Sequence, residues 1–385
     1  MRIVLLLVSL FGITSPNKFV SFRSNQTYLR GTNYIPLLNG TRHALFEPSL
    51  YSTWKIEDEL TQMKIYGYNY VRVFLSCPYL YSGFGLSSPG ISINYTKNLV
   101  DFLLRASNHQ ISVMLTGDFN PLNYQSIINS YPLPANVTGI NLIVFHRGQI
   151  AAKAQFFQDL LSQIRLLSQI AFENIFAIDI FNEISISVHC QPFSLTNGFV
   201  SFEDILYDMS KGIDRQQLLD IAGNIWMDSI VKAIKFISSN ISVTASLFSP
   251  NAVGHDGFDG VEIRPVGADD RYPLRSASLI KGLADYTDLH VYASNNVQKE
   301  LEGAALSREK PILMGETGAY TGDFPNASIA ALAIKKVIID SFNYRFNGWG
   351  IWTWNSVDQI PRFWTLTEQN NTINKVLSPS FWPIG

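Results

Sequence analysis

Eight short, apolar, β-branched runs recur along this chain, and longer stretches with apolar residues at helical spacing lie between most of them. This alternation limits the fold more than any other feature. Strands joined by helical crossovers pair in parallel, and eight such units close into an α/β (β/α)8 TIM barrel. The strands are expected at 29–34, 70–75, 111–116, 175–181, 241–248, 286–292, 312–315 and 348–354. Helices are expected at 56–66, 95–107, 149–168, 214–239 (with Asp214 as N-cap), 297–307 and 329–342. Residues 19–22 and 26–29 read as a small N-terminal hairpin, and nothing after Asn355 reads as an eighth helix. Two long connections, 184–212 and 251–270, belong to the rim at the C-terminal ends of the strands. No repeat or linker divides the chain, so one domain is expected from residue 19 to 385.

Charge excludes some classes of partner. Only 16% of the 385 residues are charged and the formal net charge is −2, so no field favours nucleic acid or an anionic membrane. A surface so poor in charge needs another solvating device. Seven Asn-x-Ser/Thr acceptors supply one, at Asn25, Asn39, Asn94, Asn136, Asn240, Asn326 and Asn370. The first residues, Met1-Arg2 followed by the apolar run Ile3 to Phe11 and the small residues Gly12, Thr14 and Ser15, have the form of a secretory signal, assigned to 1–18. A secreted glycoprotein, acting as a monomer, is therefore expected. In an oxidising compartment Cys77 and Cys190 could form one bridge or remain two buried thiols.

Two glutamates each close a buried-looking strand: Glu183 ends the run from Ile175, and Glu316 ends Pro311-Ile312-Leu313-Met314-Gly315. Carboxylates at the C-terminal ends of two strands of one barrel point into a shared pocket. Glycoside hydrolysis requires such a pair, one donating a proton to the leaving oxygen and the other attacking or activating water. Arg72 interrupts an apolar strand, where an unpaired charge is prohibitive, so it must face a polar site or a carboxylate. Asn182 could hydrogen-bond a sugar hydroxyl, while His290 and Tyr292, two residues apart, point the same way and could orient the nucleophile. Trp354 offers a flat face for a pyranose ring. Nothing calls for a cofactor: no His-x-x-x-His or clustered acid motif has metal-ligand spacing, and no Gly-rich loop cradles phosphate.

With these residues in view, the chain resembles the glycoside hydrolase family 5, cellulase-like barrels within the clan of (β/α)8 retaining glycosidases. The resemblance runs over nearly the whole mature chain. It rests on Tyr28 to Tyr34, Met63 to Phe74 ending near Arg72, Asn182-Glu183, His290-x-Tyr292, Gly315-Glu316-Thr317-Gly318 and Trp352-Thr353-Trp354. It implies double displacement on a β-glucan or β-mannan type carbohydrate, with Glu183 as acid/base and Glu316 as nucleophile. One departure concerns the segment after strand three, Thr116-Gly117-Asp118-Phe119-Asn120-Pro121. Many family members place a histidine there; here Asp118 or Asn120 would have to bind the substrate instead. The alternative is a catalytically silent carbohydrate-binding barrel.

Overall fold

The structure, a computed structural model, describes residues 28–35, 45–75, 90–255, 260–262, 269–306, 309–356, 359 and 361–378. The expected signal, most of the N-terminal hairpin, Asn25, Asn39 and Cys77 lie outside these residues.

Eight parallel strands form the barrel: β1 Leu29–Tyr34, β2 Tyr70–Phe74, β3 Ser112–Thr116, β4 Ile175–Asp179, β5 in two pieces (Ser242–Thr244 and Ser246–Leu247), β6 Thr287–Leu289, β7 Ile312–Thr317 and β8 Gly348–Ile351. The ring closes within β5. Its first piece pairs with β4, Ala177 opposite Ser242, and its second with β6, Asp288 opposite Ser246. A helix follows each strand: α1 Thr53–Ile65, α2 Ile93–Asn108, α3 Arg147–Leu167, α4 Gly212–Ile237, α5 Ser276–Ile280, α6 Val297–Gly303, α7 Ala327–Asn343 and α8 Glu368–Leu377. The chain is thus a single-domain (β/α)8 barrel.

Alternation along the strands separates two cores. Outward residues such as Val71, Val73, Val113, Leu115, Ile178 and Val243 pack beneath the helices. Inward residues Leu29, Tyr70, Met114, Ala177, Tyr286 and Leu313 fill the barrel floor, joined by Phe176 where β4 shifts register against β3. Two residues further along the same inward face come Arg72 after Tyr70, Asp179 after Ala177 and Asp288 after Tyr286. The barrel interior therefore changes from apolar to ionic within one pleat. Glycines make room for the large rings and carboxyls: a Cβ on Gly31 would lie 2.3 Å from the Tyr70 ring, and one on Gly315 would lie 2.3 Å from both Asp288 carboxyl oxygens. Gly315→Ala is accordingly expected to destabilise the fold by ~1–3 kcal/mol through overpacking, measured by denaturant unfolding.

Three expectations need correction. Residues 368–377 form the eighth helix, which the sequence pattern hides because Gln369, Asn370 and Asn371 adopt left-handed dihedrals at its start. Asparagine tolerates that region better than most residues, and beyond it Ile373, Asn374 and Leu377 are buried. The N-cap position of α4 belongs to Lys211; Asp214 sits in the first turn, favourable to the helix dipole, and accepts the N–H of Asp208 at 2.9 Å. The connection after Glu183 is not irregular throughout. Ser185–Ser187 pairs antiparallel with Arg271–Pro273, and Phe199–Phe202 forms a hairpin with Ile205–Asp208.

Candidate active site

A cavity of about 370 Å³ opens at the C-terminal ends of the strands, lined among others by Phe74, Asp118, Asn182, Glu183, Arg271, His290, Tyr292, Glu316 and Trp352. Arg72, fully buried, lies beneath it and organises the floor. Its Nη1 donates to Asn33 Oδ1 at 2.7 Å and to Glu316 Oε1 at 2.5 Å. Its Nη2 donates to Asp179 Oδ2 at 2.6 Å and Asn182 Oδ1 at 2.7 Å. Burial opposes this charge, but Asp179, Glu316 and Asp288 outweigh it and hold the guanidinium firmly protonated.

Glu316 reaches the cavity because β7 shifts register against β8 between Met314 and Thr317. With Leu313 inward, strict alternation would turn residue 316 out; such an irregularity re-aims a side chain. Its second oxygen, Oε2, accepts the Tyr292 hydroxyl at 2.6 Å. Burial, reinforced by Glu316 and Glu183, pushes the Tyr292 phenol well above its ordinary value, so it stays a donor.

Glu183 stands in different surroundings. It adopts a positive φ of 49°, a conformation uncommon outside glycine and found at functional sites, and its N–H donates to Ser246 Oγ at 2.9 Å. Its carboxyl Oε1 lies 2.9 Å from His290 Nδ1 and Oε2 lies 3.8 Å from Arg271 Nη1. Burial raises the carboxyl above its usual range, although Arg271 and Arg72 work against the rise. The Glu316 carboxylate is thus held by an arginine and a phenol, whereas Glu183 is biased toward its protonated form, the form a proton donor needs.

His290 is pushed down to about 4 by burial, Glu316 opposing, and so is neutral near pH 7. Its folded value lies below the ordinary ~6.5, so between about 4 and 6.5 the unfolded chain binds more protons at this position. The stability of the wild type relative to His290→Asn is expected to rise with pH across that window and to level off above it. Urea unfolding of both proteins at a series of pH values checks this; a constant difference would contradict it.

The structure brings Arg72, Asp118, Asn182, Glu183, His290, Tyr292 and Glu316 together and leaves two expected residues out. The Asn120 side chain donates to Gln149 at 3.2 Å rather than lining the cavity. Trp354 is 1% exposed and packs edge-on against Tyr68 in the core. β8 ends at Ile351, so alternation does not carry on to residue 354; the Trp that lines the cavity is Trp352, its indole N–H bonded to Gln359 at 2.6 Å. Trp354→Ala should therefore cost ~3–5 kcal/mol of stability, whereas Trp352→Ala should chiefly weaken ligand binding. Thermal unfolding and binding titrations on both variants separate the two.

Asp118 occupies the wall after β3, with Lys153 buried behind it. Burial pushes the Asp118 carboxyl up to about 7 and the lysine down to about 7, each partly restored by the other. Lys153 Nζ donates to the carbonyls of Gly117 and Phe119 and lies over the Phe119 ring, which fixes this loop. Glu183, His290 and Glu316 offer ligand atoms within 4.8 Å of one another, a donor set that could take a divalent cation. Arg72, at 2.5 Å from Glu316, already supplies a fixed positive charge there. Cys190 is partly buried, and its expected partner Cys77 lies outside the described residues.

Sequence reasoning missed Asn33, Asp179, Ser246, Arg271 and Trp352. Asp179 carried a usable signal, an acid inside an apolar strand of the same barrel as a buried arginine.

No family model matches the sequence, and no curated protein matches it. Solved structures do. A GH5_18 enzyme from Streptomyces cattleya in complex with Manβ1-4GlcNAc is 15% identical, covering 93% of this chain and 82% of its own, with a TM-score of 0.61. The endo-1,4-β-mannanase from Rhizomucor miehei is 14% identical, with coverage of 91% and 94% and a TM-score of 0.55. The endo-β-1,4-mannanase from Thermotoga petrophila is 12% identical, covering 91% and 76%, with a TM-score of 0.56. This likeness establishes a shared barrel fold.

Proposed function

We propose that the protein is a retaining glycoside hydrolase acting on β-mannosidic bonds, with Glu183 as acid/base and Glu316 as nucleophile. One observation carries the reading: Glu183 and Glu316 face one cavity, each with one carboxylate oxygen within 4.8 Å of an oxygen of the other. Retaining enzymes keep their carboxyls ~5–5.5 Å apart, while inverting ones leave ~6.5–9.5 Å for a water. The contrasting partners of the two acids support the division of labour. Arg72 and Tyr292 hold both oxygens of Glu316, and burial favours the protonated form of Glu183. In the first half-reaction Glu316 attacks the anomeric carbon while Glu183 protonates the departing oxygen; in the second, Glu183 takes a proton from water as the glycosyl-enzyme is cleaved. Neutral His290 orients Glu183, and Asn182, its Oδ1 held by Arg72, lines the same cavity with an amide suited to a sugar hydroxyl.

The choice of mannose rests on the solved structures of similar fold, several of which are mannanases or bind Manβ1-4GlcNAc. Secretion belongs to the same proposal. It is supported by the N-terminal apolar segment and by exposed acceptors at Asn94, Asn136 and Asn370.

The test is hydrolysis of β-1,4-mannan, manno-oligosaccharides and Manβ1-4GlcNAc beside β-glucans, with Glu183→Gln and Glu316→Gln in parallel. Release of mannose-containing products, lost in both variants and with the β-anomer formed first, is expected. Binding without turnover, unaltered by either substitution, would favour a silent carbohydrate-binding barrel.

A further inference from the structure

We propose that Arg271 is a further catalytic residue, whose Nη1 and the Glu183 carboxyl bracket the leaving-group oxygen, so that the arginine stabilises the charge building there as the glycosidic bond breaks. The inference rests on the assignment of Glu183 as proton donor.

Arg271 lies on the short ribbon that joins the two rim connections, opposite Ser187 of the strand Ser185–Ser187 that follows Glu183 in the chain. Its side chain is 47% exposed, yet it is held on several sides. Nε and Nη2 donate to the Asp269 carboxylate at 2.7–3.0 Å, the guanidinium lies 5.1 Å over the Phe248 ring, and the Arg271 carbonyl lies 3.0 Å from His255 Nε2. Immobilising a half-exposed arginine costs side-chain entropy, and here the ion pair with Asp269 uses only two of the three nitrogens.

The third nitrogen, Nη1, is 3.8 Å from Glu183 Oε2. That exceeds a hydrogen bond, but an oxygen atom at ~2.8 Å from both would close the gap. Asp269 already answers the arginine's charge, so the approach to Glu183 is not needed to neutralise it. A donor aimed beside the proton donor acts mainly in the transition state, when the oxygen gains charge and Glu183 loses its proton.

The electron count is simple. A Glu316 oxygen bonds to the anomeric carbon; the bond from that carbon to the leaving oxygen breaks, its pair stays on the oxygen, and the Glu183 proton transfers to it. Arg271 donates a hydrogen bond throughout and gives up no proton. In the second step a water takes the same position, its proton returns to Glu183, and Glu316 departs as carboxylate.

Leaving-group dependence tests this. Aryl β-mannosides and β-glucosides ranging from dinitrophenyl to phenyl, with methyl glycosides beside them, are compared by kcat/KM for wild type, Arg271→Met, Arg271→Lys and Glu183→Gln. Arg271→Met should lose about 10²-fold on the poorest leaving groups and only a few-fold on dinitrophenyl glycosides. Its profile should parallel that of Glu183→Gln, and lysine should restore part of the loss. A loss equal for all leaving groups, or no loss, would overturn the role while leaving the glycosidase reading intact. A wild type inert even to dinitrophenyl glycosides would overturn the glycosidase reading and this inference with it.

Discussion

Removal of the Glu316 carboxylate, as Glu316→Ala, is expected to lower kcat on the order of 10⁴-fold or more, and azide is expected to restore turnover with inverted product. The stereochemistry follows from the site. Without its side chain, Glu316 leaves a space between Arg72 and Tyr292, on the face of the anomeric carbon opposite the leaving group. Azide entering there yields an α-glycosyl azide from a dinitrophenyl β-glycoside. Glu183→Ala should behave in the opposite sense: the glycosyl-enzyme still forms from an activated substrate, and azide replacing water on the vacated side yields the β-azide. Nuclear magnetic resonance of the products distinguishes the anomers. Identical anomers from the two variants would exclude the assignment of roles, whatever the rates.

The second large effect concerns stability. Arg72→Met should destabilise the fold by ~3–5 kcal/mol, because it leaves the fully buried Asp179 and the nearly buried Glu316 without their counter-charge. The cost would arise from the stranded acids rather than from the lost methylene stem. Arg72→Met combined with Asp179→Asn should therefore recover part of the loss, despite having two substitutions. Urea unfolding of the wild type and the variants provides the measurement. A double variant no more stable than Arg72→Met would mean that the arginine acts through packing on Phe74, over which it lies at 4.6 Å.

Most of the barrel was legible because its outer face is patterned simply. Val71 and Val73, or Val113 and Leu115, alternate with inward residues and reveal period-two strands. The eighth helix was not legible, because three left-handed residues interrupt the apolar spacing on which any periodic reading depends. The acids at 183 and 316 were visible as polar ends of apolar runs. What aims them was hidden: a register shift in β7 and a positive φ at Glu183 are backbone events that residue identity does not announce. Trp354 and Trp352 illustrate the same limit. Two tryptophans two positions apart look equivalent in sequence, and only the end of β8 at Ile351 decides that one is core and the other cavity wall. Arg271 escaped notice because it follows a long rim connection without periodicity, and Phe248, the ring it lies over, sits at the other end of that connection.

Asp179 ties two matters together. One of its oxygens neutralises Arg72, and the other accepts the N–H of Ser246, where β5 changes partners and the ring is sealed. The same carboxylate therefore serves the integrity of the wall and the charge of its contents. Evolutionary drift would meet unequal obstacles here. On the proposed roles, a descendant could abandon catalysis cheaply by altering Glu183, which sits at the rim and a fifth of whose side chain meets solvent. Altering Asp179 would unseat the arginine and loosen the seam at once. Inactive offspring of this chain should thus be recognisable by a changed rim over an inherited, still-charged floor.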